Sequence, residues 1–256
     1  VISTELLSFF NYINHFSIKL LWLTTFIIVF TIIVKKNFSN ISCKIISILD
    51  YKILFILVVF LLTFIVALIY PPNTLDAMAY HLPKVMNWIQ NENLSFYPTN
   101  DLRQLVLAPF SEFALLHLYL LINTDNFLNL VQWYSMIVSC VAVTLISKEL
   151  GCNIKFQIFS ALFCATLPMG ILQSNSTQTD YVTSMWLLSM IYFLLKYIKS
   201  NHLKFLLYFS LALGLGIFTK GTFYIFALPF CCWLGFHILL KNKKHLIYAL
   251  LIPIVI

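Results

Sequence analysis

Residues 51–70 form a run of twenty residues that is apolar almost throughout, with Lys52 its only charge. An α-helix rises 1.5 Å per residue, so about 20 residues span the roughly 30 Å hydrocarbon core of a bilayer. Pro71 and Pro72 follow directly. Because proline lacks a backbone donor and restricts the residue before it, the pair ends the helix. The run therefore predicts a transmembrane helix that ends at Tyr70.

Further apolar runs of similar length recur along the chain. They cover approximately residues 18–34, 127–147, 156–172, 181–198, 205–219 and 222–240, and a shorter run starts at residue 246. Hydrophobic residues make up 61% of the chain and charged residues 10%, whereas about 25% of a soluble domain is charged. We therefore predict an all-α polytopic transmembrane helical bundle in contact with the lipid bilayer, without a soluble domain.

Two other classes of site are not indicated. The net charge is +7, but the cations recur in short groups between apolar runs, so no nucleic-acid partner is expected. The six cysteines include no CxxC pair, and most lie inside apolar runs, so neither a zinc site nor a disulfide framework is expected.

The lysines predict the orientation, because cytoplasmic loops carry an excess of Lys and Arg. Twelve of the sixteen Lys and Arg residues fall in four junctions between apolar runs: Lys35, Lys36, Lys44 and Lys52; Lys148 and Lys155; Lys196, Lys199 and Lys204; and Lys241, Lys243 and Lys244. If all four junctions are cytoplasmic, the other face receives Asp76, Glu92, Asp101, Glu112, Asp125, Asp180 and Lys220.

This orientation requires that residues 105–122 do not cross the membrane. The segment carries Pro109, Glu112 and His117, and ionisable residues are costly at bilayer depth. We predict that it forms a helix in the outer interface, as does Pro83–Asn91, where proline suits a first turn. An ordinary crossing by residues 105–122 remains the alternative.

The predicted organisation is a single transmembrane domain over residues 1–256, with a large extracytoplasmic loop over residues 71–126 that carries the interfacial helices. Seven spans are complete and one is partial. Residues 246–256 allow only about 17 Å of helix, and the first residue is Val. We therefore expect the chain to be the N-terminal part of a longer protein.

Three motifs lie at the outer ends of the predicted spans. The first is Tyr70-Pro-Pro-Asn-Thr-Leu-Asp76-Ala-Met-Ala-Tyr80-His81-Leu-Pro83, which continues to Trp88-Ile-Gln-Asn91 and Tyr97-Pro-Thr99. The other two are Gln173-Ser-Asn-Ser-Thr-Gln-Thr-Asp180 and Leu213-Gly-Leu-Gly-Ile-Phe-Thr-Lys220-Gly-Thr222. From about residue 50 onwards the chain resembles bacterial GT-C membrane glycosyltransferases, the group related to protein O-mannosyltransferases and the lipid A aminoarabinose transferase.

The resemblance implies that a sugar moves from a polyprenyl-phosphate-linked donor to a lipid, glycan or protein acceptor, on the outer face of a bacterial plasma membrane. The attacking hydroxyl must lose its proton, so a carboxylate is expected as general base. The leaving phosphate needs a cation, a divalent metal such as Mg or Mn, or backbone N–H groups. Asp76 and Asp180 are the predicted catalytic acids and the metal ligands if a metal binds. Many relatives carry two adjacent acids, whereas Ala77 follows Asp76 here.

The remaining candidates are predicted to bind the substrate. Lys220 breaks the positive-inside pattern, and Arg103 has the shape for bidentate phosphate contact, so both are candidates for the donor phosphate. Tyr80 and His81 are candidates for sugar or phosphate. Simpler interpretations stay open: an Asp can cap the following helix, and an interfacial Lys can extend to water.

Glu112 is expected on the same outer surface, on the second interfacial helix.

Two other functions were weighed. A transporter or flippase of lipid-linked glycans would show charged residues in mid-span and a two-fold repeat, neither of which is visible in the sequence. A surface-polysaccharide polymerase or ligase would place its large outer loop late in the chain and use paired arginines. Here the large loop is early and Arg103 is the only arginine.

Overall fold

The computed structural model describes residues 1–35 and 51–241, and within these ranges it contains helices and no strand. The helices are α1 (Ile2–Phe9), α2 (His15–Lys35), α3 (Tyr51–Ile69), a π-turn (Ala77–His81) that leads into α4 (Leu82–Asn91), α5 (Arg103–Val106), α6 (Phe110–Ile122), α7 (Leu130–Glu149), α8 (Ile154–Ala165), α9 (Pro168–Ser174), α10 (Asp180–Ser200), α11 (Leu203–Ile217) and α12 (Phe223–Lys241). The predicted all-α fold is confirmed.

Within the described ranges, five helices are long and apolar enough to cross a membrane, namely α2, α3, α7, α10 and α12. Their outer faces carry exposed large apolar side chains such as Phe26, Leu61 and Ile225. Such side chains are favourable against lipid, which is as apolar as the side chains themselves. The chain is therefore a multi-pass membrane protein.

Two predicted spans differ from expectation. The apolar run over residues 156–172 is not one helix, because α8 and α9 meet at a bend of 64°. Pro168, in the first turn of α9, explains the break, since its ring cannot continue the hydrogen-bond ladder of α8. The second is α11, which has the 15 residues of its predicted run but, at about 22 Å, is shorter than the roughly 30 Å hydrocarbon core. The described part of the chain thus holds five long spans, or six if the bent pair crosses once.

Ion pairs tie one end of the bundle together, which we call the lysine end. Glu149, at the end of α7, lies 2.8 Å from Lys196 and 3.1 Å from Lys199 in the last turns of α10. This end contains cationic junctions of the predicted cytoplasmic face. Lys36, Lys44, Lys243, Lys244 and the apolar run from residue 246 lie outside the described residues.

The opposite end carries the turns that join the helices near residues 70, 129, 180 and 220, and we call it the loop end. The Asn129 side chain donates to the Tyr70 carbonyl at 2.9 Å, and so links the start of α7 to the end of α3. The Gln132 side-chain oxygen accepts from the backbone N–H groups of Tyr181 and Val182 at 2.9 and 3.2 Å. It satisfies two of the free donors that begin α10.

Helix α6 lies across the loop end. Its first N–H, from Phe110, donates to the carbonyl of Phe218 at 3.0 Å, directly after α11. Near its other end, the carbonyl of Leu120 accepts from His15 Nδ1 at 2.8 Å, at the start of α2. Both ends of α6 therefore contact the loop end, although the face of the membrane remains a prediction. The segment 105–122 is also not one helix, because residues 107–109 separate α5 from α6.

A compact apolar layer joins α4 to α6. Val85, Trp88, Phe113 and Leu116 are buried in it, and the Trp88 and Phe113 rings lie 5.5 Å apart. Helix α4 begins one residue earlier than the predicted Pro83–Asn91, with proline in its first turn as expected.

Candidate functional site

The site begins at the π-turn, whose geometry follows from Pro83. Proline has no N–H, so the carbonyl of Ala79 loses its helical partner four residues on. The turn widens, and the N–H of Leu82 donates to the carbonyl of Ala77, five residues back. The side chain of Gln104 then donates to the free Ala79 carbonyl at 2.8 Å. A sequence-encoded proline thus creates the turn, and a residue from α5 completes it.

Asp76 lies directly before the π-turn and forms no capping hydrogen bond. The hydroxyl of Thr74 accepts from the Ala77 N–H at 3.3 Å instead. The structure therefore does not support the alternative that Asp76 is a helix cap. Burial raises the pKa of Tyr80 to about 12, and the charge of Asp76 and its side-chain hydrogen bond to Tyr80 act in the same direction. Tyr80 therefore remains a neutral phenol close to the Asp76 carboxylate.

Arg103 covers the other side of Tyr80. Its guanidinium lies 4.7 Å from the centre of the Tyr80 ring, a cation–π contact. Its Nε and Nη2 atoms donate to both carboxylate oxygens of Asp101 at 2.7 to 3.1 Å. This side-chain hydrogen bonding, together with the Arg103 charge, holds the pKa of Asp101 below its usual range. The Arg103 guanidinium, which was predicted to bind phosphate, therefore binds a neighbouring carboxylate.

The His81 ring lies 4.3 Å from the Tyr80 ring and hydrogen-bonds a residue of α6. Its Nδ1 donates to Glu112 Oε1 at 2.9 Å, and the residues are 4% and 0% exposed. The expectation that Glu112 lies on the outer surface is wrong, because α6 turns it into the apolar layer beneath the π-turn. The second oxygen, Oε2, is buried without a hydrogen-bond partner among the described residues. Lys84 is also buried and donates to the Leu107 carbonyl at 2.7 Å.

Asp180 and Lys220 form the second half of the site. Asp180 begins α10 but makes no capping hydrogen bond, since Gln132 takes that role. Its Oδ1 instead accepts from Lys220 Nζ at 2.7 Å, and both side chains are partly exposed. The pair brings together residues forty positions apart in the chain.

A cavity of about 890 Å³ lies among the helices next to α10, although neither Asp180 nor Lys220 lines it. Its lining comes from α1, α2, α6, α7 and α10 and is mostly apolar, including Trp22, Phe110, Phe113, Tyr134, Val182 and Trp186. Val182 follows Asp180 by two residues, and the N–H of Phe110 is bonded to Phe218, two residues before Lys220. The cavity therefore borders the elements that carry the ion pair. Its volume is within the range of small-molecule sites.

The structure groups the sequence-predicted residues into two sets. Asp76, Tyr80 and Arg103 lie together on the π-turn and α5, whereas Asp180 pairs with Lys220; no described contact joins the two sets directly. Their roles remain predictions. Sequence reasoning missed Gln104 and Gln132, which position the π-turn and the start of α10. A partner for Glu112 could have been predicted from the sequence, since a glutamate in an apolar run requires one.

A divalent metal at Asp76 and Asp180 stays a prediction. Asp180 Oδ1 accepts from Lys220, and no described contact joins Asp180 to Asp76. The described residues contain no group of three or more His, Cys, Asp or Glu side chains that could hold an ion. We therefore derive no catalytic step through a metal.

Comparison with known proteins agrees with the fold. A family model described as dolichyl-phosphate-mannose-protein mannosyltransferase matches residues 107–256, which is more than half of the chain. The motif at Asp76 precedes this range, whereas Asp180 and Lys220 lie inside it. Comparison with curated proteins and with solved structures gave no match. The chain therefore belongs to the dolichyl-phosphate-mannose-protein mannosyltransferase family, and is a membrane glycosyltransferase of the GT-C type.

Proposed function

We propose that this protein transfers a hexose or pentose from a polyprenyl-phosphate donor to a hydroxyl of a lipid, glycan or protein, at the loop end of the bundle. We place this end on the extracytoplasmic face of a bacterial plasma membrane, following the lysine bias. One observation supports this proposal more strongly than any other. A mostly apolar cavity of about 890 Å³ borders the elements that carry the Asp180–Lys220 ion pair.

The donor has two chemically different parts, and the two features suit them. The polyprenyl chain is apolar and would enter the cavity between α6, α7 and α10, where Val182, Met185 and Trp186 form one wall. The phosphate would meet the Lys220 ammonium, which has three donors and gives one to Asp180. Asp180 thereby holds the ammonium in place, and the remaining donors face the negative charge that grows as the phosphate leaves.

The chemical step needs a base for the acceptor. In our proposal the acceptor hydroxyl oxygen attacks the anomeric carbon, and the bond from that carbon to the phosphate oxygen breaks. The hydroxyl proton passes to the Asp76 carboxylate, and polyprenyl phosphate leaves with the electron pair. Tyr80 donates to Asp76 and orients it. For this proton transfer the Asp76 carboxylate must lie within hydrogen-bond distance of the acceptor hydroxyl.

The test uses the full-length protein in lipid vesicles with labelled polyprenyl-phosphate sugars. Ala114 lines the cavity, so Ala114→Phe should fill it and raise the KM for a long-chain donor, by about tenfold for roughly 1.4 kcal/mol of lost apolar contact. A donor with a two-isoprene chain, which needs less of the cavity, should be less affected. The control is Val141→Phe, on the exposed face of α7 and outside the lining.

The outcomes distinguish failure of the proposed function from failure of the proposed role of the cavity. If the unaltered protein transfers sugar from no polyprenyl-phosphate donor, the proposed function fails. If transfer occurs but Ala114→Phe leaves the long-chain KM at the level of Val141→Phe, the cavity does not hold the donor chain.

A further inference from the structure

The first turn of α6 contacts both halves of the candidate site. On one side, Glu112 accepts from His81, the last residue of the π-turn. On the other side, the Phe110 N–H donates to the Phe218 carbonyl, and the Phe113 ring lies 5.8 Å from the Phe218 ring. Phe218 precedes Lys220 by two residues. This single helical turn therefore links the two halves, which otherwise lie on separate elements.

The His81–Glu112 contact is costly to build in an apolar layer. Both residues are almost fully buried, and Glu112 Oε2 has no partner among the described groups. Taking such groups out of water costs several kcal/mol, and apolar residues of similar volume are often equally or more stable at such places. Stability alone therefore does not explain why this pair is buried. The position that the pair gives to the π-turn is the better explanation.

A short path leads from this pair to the proposed base. His81 follows Tyr80 directly, and their rings lie 4.3 Å apart. Tyr80 in turn lies close to Asp76, whose charge acts on the Tyr80 phenol. A shift of the His81 ring would therefore move Tyr80 and change the surroundings of the Asp76 carboxylate. The Gln104 bond to the Ala79 carbonyl anchors the same turn separately, so loss of Glu112 should displace the turn without unfolding it.

We propose that Glu112 is a positioning residue. It acts through His81 to fix the π-turn and so keeps Asp76 aligned with the half of the site that carries Lys220. The proposal rests on the function proposed above. Glu112 touches no substrate in this scheme. Its effect is on the alignment of the base with the donor, and a misplacement of about 1 Å can cost about 10²-fold in rate.

The decisive variant replaces both partners by apolar residues, His81→Leu with Glu112→Leu, in the full-length protein in vesicles. It removes the hydrogen bond and fills the space, but it also leaves the buried Lys84 ammonium without the nearby Glu112 charge, so kcat is compared per folded molecule alongside the unfolding midpoint. We expect kcat to fall by about 10- to 100-fold. Because Asp180 and Lys220 are untouched, the donor KM should stay within about twofold. Glu112→Gln, whose amide oxygen still accepts from Nδ1, should restore most of kcat.

The control is Glu149→Gln, which removes the charge from a partly exposed ion pair between α7 and α10 at the lysine end. It should change the unfolding midpoint little and leave kcat per folded molecule unchanged. A doubly apolar variant with unchanged kcat overturns the inference, as does a loss of kcat that only follows the unfolding midpoint.

A second readout does not depend on transfer. Backbone amide hydrogen exchange over residues 77–82 should be faster in the doubly apolar variant and unchanged in Glu149→Gln. Unchanged exchange in both would overturn the anchoring role. If the unaltered protein shows no transfer while exchange responds as expected, the proposed function fails and the anchor stands.

Discussion

The ammonium of Lys220 lies 2.7 Å from Asp180 Oδ1 and so joins the turn after α11 to the first turn of α10. The two side chains are 36% and 44% exposed, and partly exposed pairs contribute only about 0–1 kcal/mol to stability. The pair therefore matters more for where it holds the ammonium than for how strongly it binds the helices together. In the proposed function this place is the donor phosphate site.

Lys220→Ala should raise the donor KM by about 10- to 100-fold, since a hydrogen bond to a charged group contributes about 1.5–3 kcal/mol. Lys220→Arg should recover part of the loss. The measurement is initial rate against donor concentration, with Lys204→Ala at the lysine end as control. A donor KM equal to that of the control would remove Lys220 from the phosphate site.

Asp76→Asn keeps the size of the side chain and removes its charge. Loss of a general base typically costs about 10²–10⁴ in rate, whereas accumulation of folded protein should be normal because Asp76 makes no capping bond. Turnover at matched expression is the measurement. Asp125→Asn, an exposed acid of the same loop, serves as control. Near-normal turnover by Asp76→Asn would rule out the catalytic assignment.

Tyr80→Phe removes the hydroxyl that donates to Asp76 in the proposed scheme and leaves the ring beneath Arg103. The carboxylate then loses one charge-assisted hydrogen bond, so kcat should fall by about tenfold or more. Tyr224→Phe, on the exposed part of α12, is the comparison in the same kinetic assay. Equal kcat values for the two variants would show that Tyr80 does not orient the base.

The orientation of the bundle can be measured by thiol labelling. Asn126 and Lys155 are both exposed, and neither side chain caps a helix. In a background without native cysteines, a Cys at position 126 should react with an impermeant reagent added outside cells, and a Cys at position 155 should not. The reverse pattern would invert the predicted topology.

Gly216 allows α11 and α12 to approach closely. A methyl group added there would overlap the ring of Phe223, which is fully buried. Gly216→Ala should therefore lower stability by about 1–3 kcal/mol through overpacking, as read from the unfolding midpoint in detergent. Gly235→Ala in α12 meets nothing within 4 Å and should be neutral or slightly stabilising. Equal midpoints for both variants would contradict the packing described.

Amino-acid order alone was enough to predict the five described helices that are long enough to cross the membrane. Tyr51–Ile69 and Phe223–Lys241 follow closely from their apolar runs, because a bilayer requires each span to satisfy its own backbone and present about 20 apolar residues. This requirement is local, so it is visible without knowing any neighbour. The same holds for Asp76 at the end of a span. The effects of Pro83 and Pro168, whose missing N–H groups cause the π-turn and the break between α8 and α9, are also local, but neither was predicted from the sequence.

Tertiary structure alone decided which side chains meet. The pairs His81–Glu112 and Lys220–Asp180 join residues 31 and 40 positions apart, and Gln104 reaches a carbonyl that only a widened turn leaves free. Helical periodicity assigns a residue to one face of its own helix, but not to a partner on another. Inside a membrane most helix faces are equally apolar, so packing against neighbours determines where the few polar groups come together.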